Sequence, residues 1–114
     1  MTRRLTALGK DNQSVELTMN PDLLVVKVGR KASRLTMQEY LLLEALAQQP
    51  GATLSRTSLL MDVWQCHYPI KTRTVDVHVQ RLRRKLGPQL IETVHGIGYR
   101  LHTPPCRDAL VQAV

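Results

Sequence analysis

Aromatic side chains are scarce in this 114-residue chain, which has one Trp, three Tyr and no Phe. An aromatic core is thereby excluded, and the interior must be filled mostly by Leu and Val. Long apolar runs are also missing. The longest, Leu23 to Val26, is four residues, far short of the ~20 that cross a bilayer. Arg3 and Arg4 are followed by no apolar stretch, so neither a secretory signal nor a membrane-spanning segment is expected. Cys66 and Cys106 lie forty positions apart without a Cys-x-x-Cys spacing, which excludes a disulfide framework and a zinc signature and points to a reducing, cytoplasmic setting. His67, His78, His95 and His102 fall at neither i, i+4 nor finger spacing, so no metal or other cofactor is expected. No Ser/His/Asp arrangement, acid pair or phosphate-binding loop suggests an enzyme. Negative charge is the last shortage: nine Asp and Glu face sixteen Lys and Arg, leaving +7 and a pI near 10.0.

What is present is a globular composition, 43% hydrophobic and 22% charged, in a length that suits one domain. The surplus of positive charge points first to nucleic acid, then to an anionic membrane surface or acidic partner. It is also localised. Lys71, Arg73, Arg81, Arg83, Arg84 and Lys85 are opposed only by Asp76, so residues 71–85 hold five of the seven net charges. A solvated helix face is the ordinary explanation of such a cluster, and the geometry of the segment has to answer it.

Along the chain, Val15, Leu17 and Met19 alternate with polar neighbours, Asn20-Pro21-Asp22 makes a turn, and Leu24, Val26 and Val28 alternate again. With a second turn at Gly29-Arg30-Lys31 and the run Ala32 to Leu35, this reads as an antiparallel meander, with Leu5 to Leu8 a candidate extra strand. Residues 1–13 are otherwise assigned to a linker or flexible segment, 14–102 to the folded domain and 103–114 to a disordered tail. Thr36-Met37-Gln38-Glu39 fits a capping box for a first helix, which Pro50-Gly51 ends. Ala52 to Leu54 suits a short strand, Ser55 suits the N-cap of a second helix through Trp64, and 65–72 is a loop. A third helix is expected from Arg73 to Leu86, stopped by Gly87-Pro88. Leu90 to Val94 and Tyr99 to Leu101, joined by His95-Gly96-Ile97-Gly98, form a hairpin.

At 100° per residue, Val75, Val79, Leu82 and Leu86 fall within a stripe about 60° wide. Arg73, Val77, Gln80, Arg81 and Arg84 fall on the opposite side. A helix that rests one face on a core and offers donors from the other suits a major groove, where Arg recognises guanine and an exposed valine meets a thymine methyl. A glycine-flanked hairpin beside it can reach the backbone or minor groove. The order helix, turn, helix, basic helix, hairpin is that of a winged helix-turn-helix. Two other classes remain open at this level: a non-specific nucleic-acid architectural protein, and a protein-interaction module in which the basic helix is incidental.

The stretches RTVDVHVQRLRRKLG and LIETVHGIGYRL resemble the recognition helix and wing of the OmpR/PhoB family of response-regulator effector domains. Upstream, LTMQEYLLLEALAQQPGATLSRTSLLMDVW resembles that family's first two helices, so the resemblance covers about residues 15–102. It implies an α+β fold: an N-terminal four-stranded antiparallel sheet, a three-helix bundle and a C-terminal β-hairpin wing. It also implies sequence-specific binding of double-stranded DNA in the control of transcription, within a two-component system. Carried across residue by residue, Arg81, Val77 and Asp76 would touch base edges. Arg73, His78 and Arg83 would grip phosphates, as would Arg56 and Trp64 from the second helix and Thr93 and Tyr99 from the wing. Arg84, central on the basic face, completes the base-facing set, and Arg100 completes the wing.

Two positions depart from the family pattern. His95, whose charge at neutral pH is conditional, stands where an Arg commonly enters the minor groove, and Gln80 stands where an Arg often meets a phosphate; Lys71 and Arg84 can compensate. Trp64 and Tyr99 also read as large core-capping residues. Arg30, Lys31 and Arg34 read as solvated charges that guard a sheet edge. The resemblance further implies weak head-to-tail pairing on direct-repeat sites, and a contact with RNA polymerase through 65–72. It also implies a receiver domain for which this length has no room, so the chain is an effector fragment or a stand-alone regulator.

Overall fold

The computed structural model describes residues 3–8, 14–65 and 72–102. Four strands, β1 (Arg3–Leu8), β2 (Ser14–Asn20), β3 (Val25–Val28) and β4 (Lys31–Arg34), form an antiparallel meander in chain order. Pairing Met19 with Val26 and Leu17 with Val28 puts Leu17, Met19 and Val26, all fully buried, on the face that the helices cover. Asn20 closes the β2–β3 turn, its Oδ1 accepting from the backbone N–H groups of Asp22 (3.0 Å) and Leu23 (3.3 Å).

Within residues 1–13, expected as a linker, residues 3–8 instead form β1, which pairs residue for residue from Arg3↔Met19 to Leu8↔Ser14; the rest of that span lies outside the described residues. The candidate strand Leu5 to Leu8 forms the second part of β1; local pattern did not mark Arg3 and Arg4, whose backbone partners the edge of β2 supplies. The expected tail, 103–114, lies outside the described residues.

Helix α1 (Met37–Gln48) starts at the capping box: Thr36 Oγ1 accepts from the Glu39 N–H, and Glu39 Oε1 accepts from the Thr36 N–H. Helix α2 (Arg56–Trp64) starts at Ser55, whose hydroxyl accepts from the Ser58 N–H. Helix α3 (Arg73–Leu86) ends at Gly87, whose φ of 111° disfavours any side chain. Leu42, Leu43, Leu46, Leu59, Val75, Val79 and Leu82 meet in one aliphatic core. None of these helices is long and apolar enough to cross a membrane.

Glu39 has a second task. Although 99% of it is removed from solvent, it also accepts a 2.6 Å hydrogen bond from Lys85 Nζ in the last turn of α3. One carboxylate thus caps the start of α1 and ties down the end of α3. Burial pushes the Glu39 carboxyl up, but Lys85 and the Thr36 contacts outweigh it and hold the group below the usual carboxylate range.

The C-terminal strands β6 (Ile91–Val94) and β7 (Gly98–Leu101) form the expected hairpin, but β7 also pairs with β5 (Leu54–Ser55), giving a three-stranded sheet in the order β5-β7-β6. The approach is close. A Cβ on Gly98 would lie 2.0 Å from the Leu54 carbonyl oxygen. The hairpin is therefore anchored to the segment that opens α2.

Two outcomes follow. A carboxyl with a depressed folded value stabilises the fold above its unfolded value, 4.5 for Glu39, and that contribution is lost as pH falls through the folded value. Glu39→Gln should accordingly be less stable than wild type near pH 7, with the gap in urea midpoint closing as pH falls below about 4. Gly98→Ala should cost about 1–3 kcal/mol through overpacking against β5, read as a lower melting temperature.

Candidate nucleic-acid interface

Helix α3 divides along its length. Val75, Val79 and Leu82 are fully buried, while Arg73, Val77, Gln80, Arg81 and Arg84 are exposed. Val77 is 41% exposed in the middle of that cationic strip, an arrangement that offers guanidinium forks around one apolar contact. Leu86, expected in the buried stripe, is only half-buried at the helix end.

The wing is fastened beside this face. Arg83 Nη2 donates to the Ile91 carbonyl (2.9 Å) and to Thr93 Oγ1 (2.6 Å), so α3 holds β6 directly. Arg83 and Thr93, both expected at phosphates, are thus half-buried partners of each other. At the wing tip, His95, Gly96 and Ile97 are exposed, Ile97 by 58%. Arg100 pairs with Glu92 across the β6–β7 ladder (Nε to Oε2, 2.7 Å) on the hairpin stem.

A second cluster joins α2, α3 and the wing. Asp76 Oδ1 accepts from Arg56 Nε at 2.8 Å and from the Tyr99 hydroxyl. Tyr99 is buried, and its ring lies 5.0 Å from the Arg56 guanidinium carbon and 5.7 Å from that of Arg83. Burial pushes the Asp76 carboxyl up; the Tyr99 and Arg56 hydrogen bonds outweigh that and hold it below the usual carboxylate range. Burial and then the Asp76 carboxylate raise the Tyr99 phenol, which stays protonated and donates. Nearby, the Trp64 and His78 rings meet edge-on at 4.9 Å, and His78 Nδ1 lies 2.8 Å from the Thr74 carbonyl, which can only accept, so this nitrogen carries the proton.

The structure therefore brings Arg73, Val77, Gln80, Arg81 and Arg84 onto one open face with the wing at its side. Asp76, Arg83, Thr93 and Tyr99 are engaged within the protein. Lys71 and all of 65–72 except Gln65 and Thr72 lie outside the described residues. Sequence reasoning missed Ile97 as an exposed apolar tip; its departure from strand alternation between two glycines was the available signal. The Arg56–Asp76–Tyr99 cluster joins residues twenty and twenty-three positions apart, and no local pattern signals it.

The family model described as "Transcriptional regulatory protein, C terminal" matches residues 29–101. The transcriptional regulatory protein CseB of Streptomyces coelicolor is 44% identical over 86 residues, which cover 75% of this chain and 37% of CseB. The response regulator protein PmrA of Pseudomonas aeruginosa is 39% identical over 89 residues, covering 78% and 40%. The chain thus spans about two fifths of the length of these relatives. Among solved structures, the DNA-binding domain of the Klebsiella pneumoniae regulator RstA, in complex with the RstA box, superposes with a TM-score of 0.67 at 32% identity, covering 75% of this chain and 90% of that one. With the sheet, helices and wing in the same order as the matched motifs require, the chain belongs to the family of C-terminal domains of transcriptional regulatory proteins, of the OmpR/PhoB response-regulator type.

Proposed function

We propose that this chain is the sequence-specific, double-stranded-DNA-binding effector domain of a response regulator that controls transcription. The observation that carries this reading is the split of α3: a buried aliphatic stripe opposite an exposed strip of Arg73, Val77, Gln80, Arg81 and Arg84, with the wing held alongside. In this reading α3 enters the major groove, where Arg81, Val77 and Arg84 face base edges and Arg73 and Gln80 face phosphates. Arg56, Trp64 and His78 line the backbone beside it, and the wing tip with His95 lies at the minor groove. The solved complex of the RstA DNA-binding domain with the RstA box supports DNA binding by this fold.

The larger assembly is part of the same proposal. A receiver domain accompanies the domain in the whole regulator, in keeping with the two fifths of CseB and PmrA that this chain spans. Two copies bind head to tail on direct repeats in the cytoplasm, and the 65–72 segment meets RNA polymerase. The reading contains no catalytic step.

Selection from random duplexes, followed by salt-titrated binding to the selected and to random sequence, tests the core of the proposal. Wild type should show a specificity ratio well above one at each salt concentration. Arg81→Ala should lose roughly 1–3 kcal/mol on the selected site and most discrimination at one base position; a mutant that keeps its preference removes Arg81 from the base-reading set. His95→Arg places a fixed charge at the exposed wing tip. It should bind more tightly at low salt and steepen the slope of log K against log salt by about one unit, whereas identical slopes would show that the tip does not meet DNA.

A further inference from the structure

We infer that Asp76 is a positioning residue, which joins α3 to the wing through Tyr99 and Arg56 and so sets sequence discrimination without itself reading a base. The inference rests on the DNA-binding reading above. A carboxylate one position before exposed Val77, in a surface otherwise cationic, repels the phosphates that such a surface attracts. Its bonds show what it supplies in return. The same oxygen takes Arg56 Nε from the first residue of α2 and the Tyr99 hydroxyl from β7. Seven residues later, two turns or about 10 Å along the helix axis, Arg83 makes a second attachment to Ile91 and Thr93 on β6.

A rigid strand ladder held to a helix at two separated points cannot pivot about either one. The Asp76 attachment and the Arg83 attachment together fix the angle between the wing and α3. That angle decides whether Arg81 and the wing tip engage DNA at the same time, a geometric requirement that a random duplex does not share. Arg56 is held by the same carboxylate through Nε. Helix-dipole stabilisation by an acid in the first turn is the plainer explanation of Asp76, but it needs neither Tyr99 nor Arg56.

The test compares wild type, Asp76→Asn, Tyr99→Phe and the double variant on the selected duplex and on a random duplex of equal length. Thermal melts accompany each variant, and sequence selection is repeated with Asp76→Asn. Asp76→Asn should bind the selected site about tenfold more weakly, the size of one lost charged hydrogen bond, while binding random duplex as well as wild type or better. Tyr99→Phe should lower the specificity ratio in the same way, with the double variant no worse than the poorer single one. The base preferred at each position should not change. Tighter binding of Asp76→Asn to both duplexes would reduce the carboxylate to an electrostatic penalty and overturn the inference. A lower melting temperature with an unchanged ratio would overturn it in favour of the helix dipole. A changed base at one position, with Tyr99→Phe behaving as wild type, would overturn it in favour of direct reading. Wild type without any specificity ratio would overturn the functional reading and this inference with it.

Discussion

Val75, Val79 and Leu82 hold α3 to the rest of the molecule, and almost every other feature is arranged around that attachment. Each contributes about 1.5–3 kcal/mol on burial, so the three together rival the net stability of a small domain, about 5–15 kcal/mol. Because the stripe is narrow, the opposite side of the helix stays open, and Arg73, Arg81 and Arg84 there neither enter the core nor compromise it. The N-terminal sheet contributes Leu17, Met19 and Val26 to the same aliphatic interior. Its role in the reading proposed here is scaffolding.

Polar ties at both ends of α3 refine what the stripe begins. Lys85 reaches Glu39 at the C-terminal end, and Asp76 reaches Arg56 and Tyr99 near the N-terminal end. In each case several donors hold the carboxylate ionised, Glu39 despite full burial and Asp76 despite partial burial, which is the condition under which such groups stabilise rather than strain a fold. Hydrophobic contact sets where the helix lies; these directional bonds set how it is turned.

Local pattern made much of this readable from the residues. Thr36-x-x-Glu39 marked the start of α1, Ser55 the start of α2, and Gly87 the end of α3, because capping acts over three or four residues. The exposed side of α3 was equally legible, since 100° periodicity separates Val75 and Val79 from Arg81 and Arg84 before any tertiary contact exists. Strand β1 was legible only in part. The double duty of Glu39, the pairing of β5 with the wing and the engagement of Asp76 were not legible. Each depends on a partner distant in sequence: Lys85 for Glu39, Leu54 for Gly98, and both Arg56 and Tyr99 for Asp76. For Asp76, the family resemblance implied a place at a base edge, and its bonds to Arg56 and Tyr99 became visible only with the tertiary structure.

The crowding of Gly98 against β5 has a consequence for how such a domain can diversify. Strand β7 is committed on both edges, with β5 on one side and β6 on the other, and its residues Tyr99 and Leu101 are buried. Only His95, Gly96 and Ile97 stand clear of that framework. Variation at the tip can therefore be explored without disturbing the frame that carries it, much as a tool bit is exchanged in a fixed chuck. A library confined to His95 and Ile97 would vary the surface the tip presents on an unchanged scaffold, with Gly96 kept because its φ of 77° disfavours a side chain.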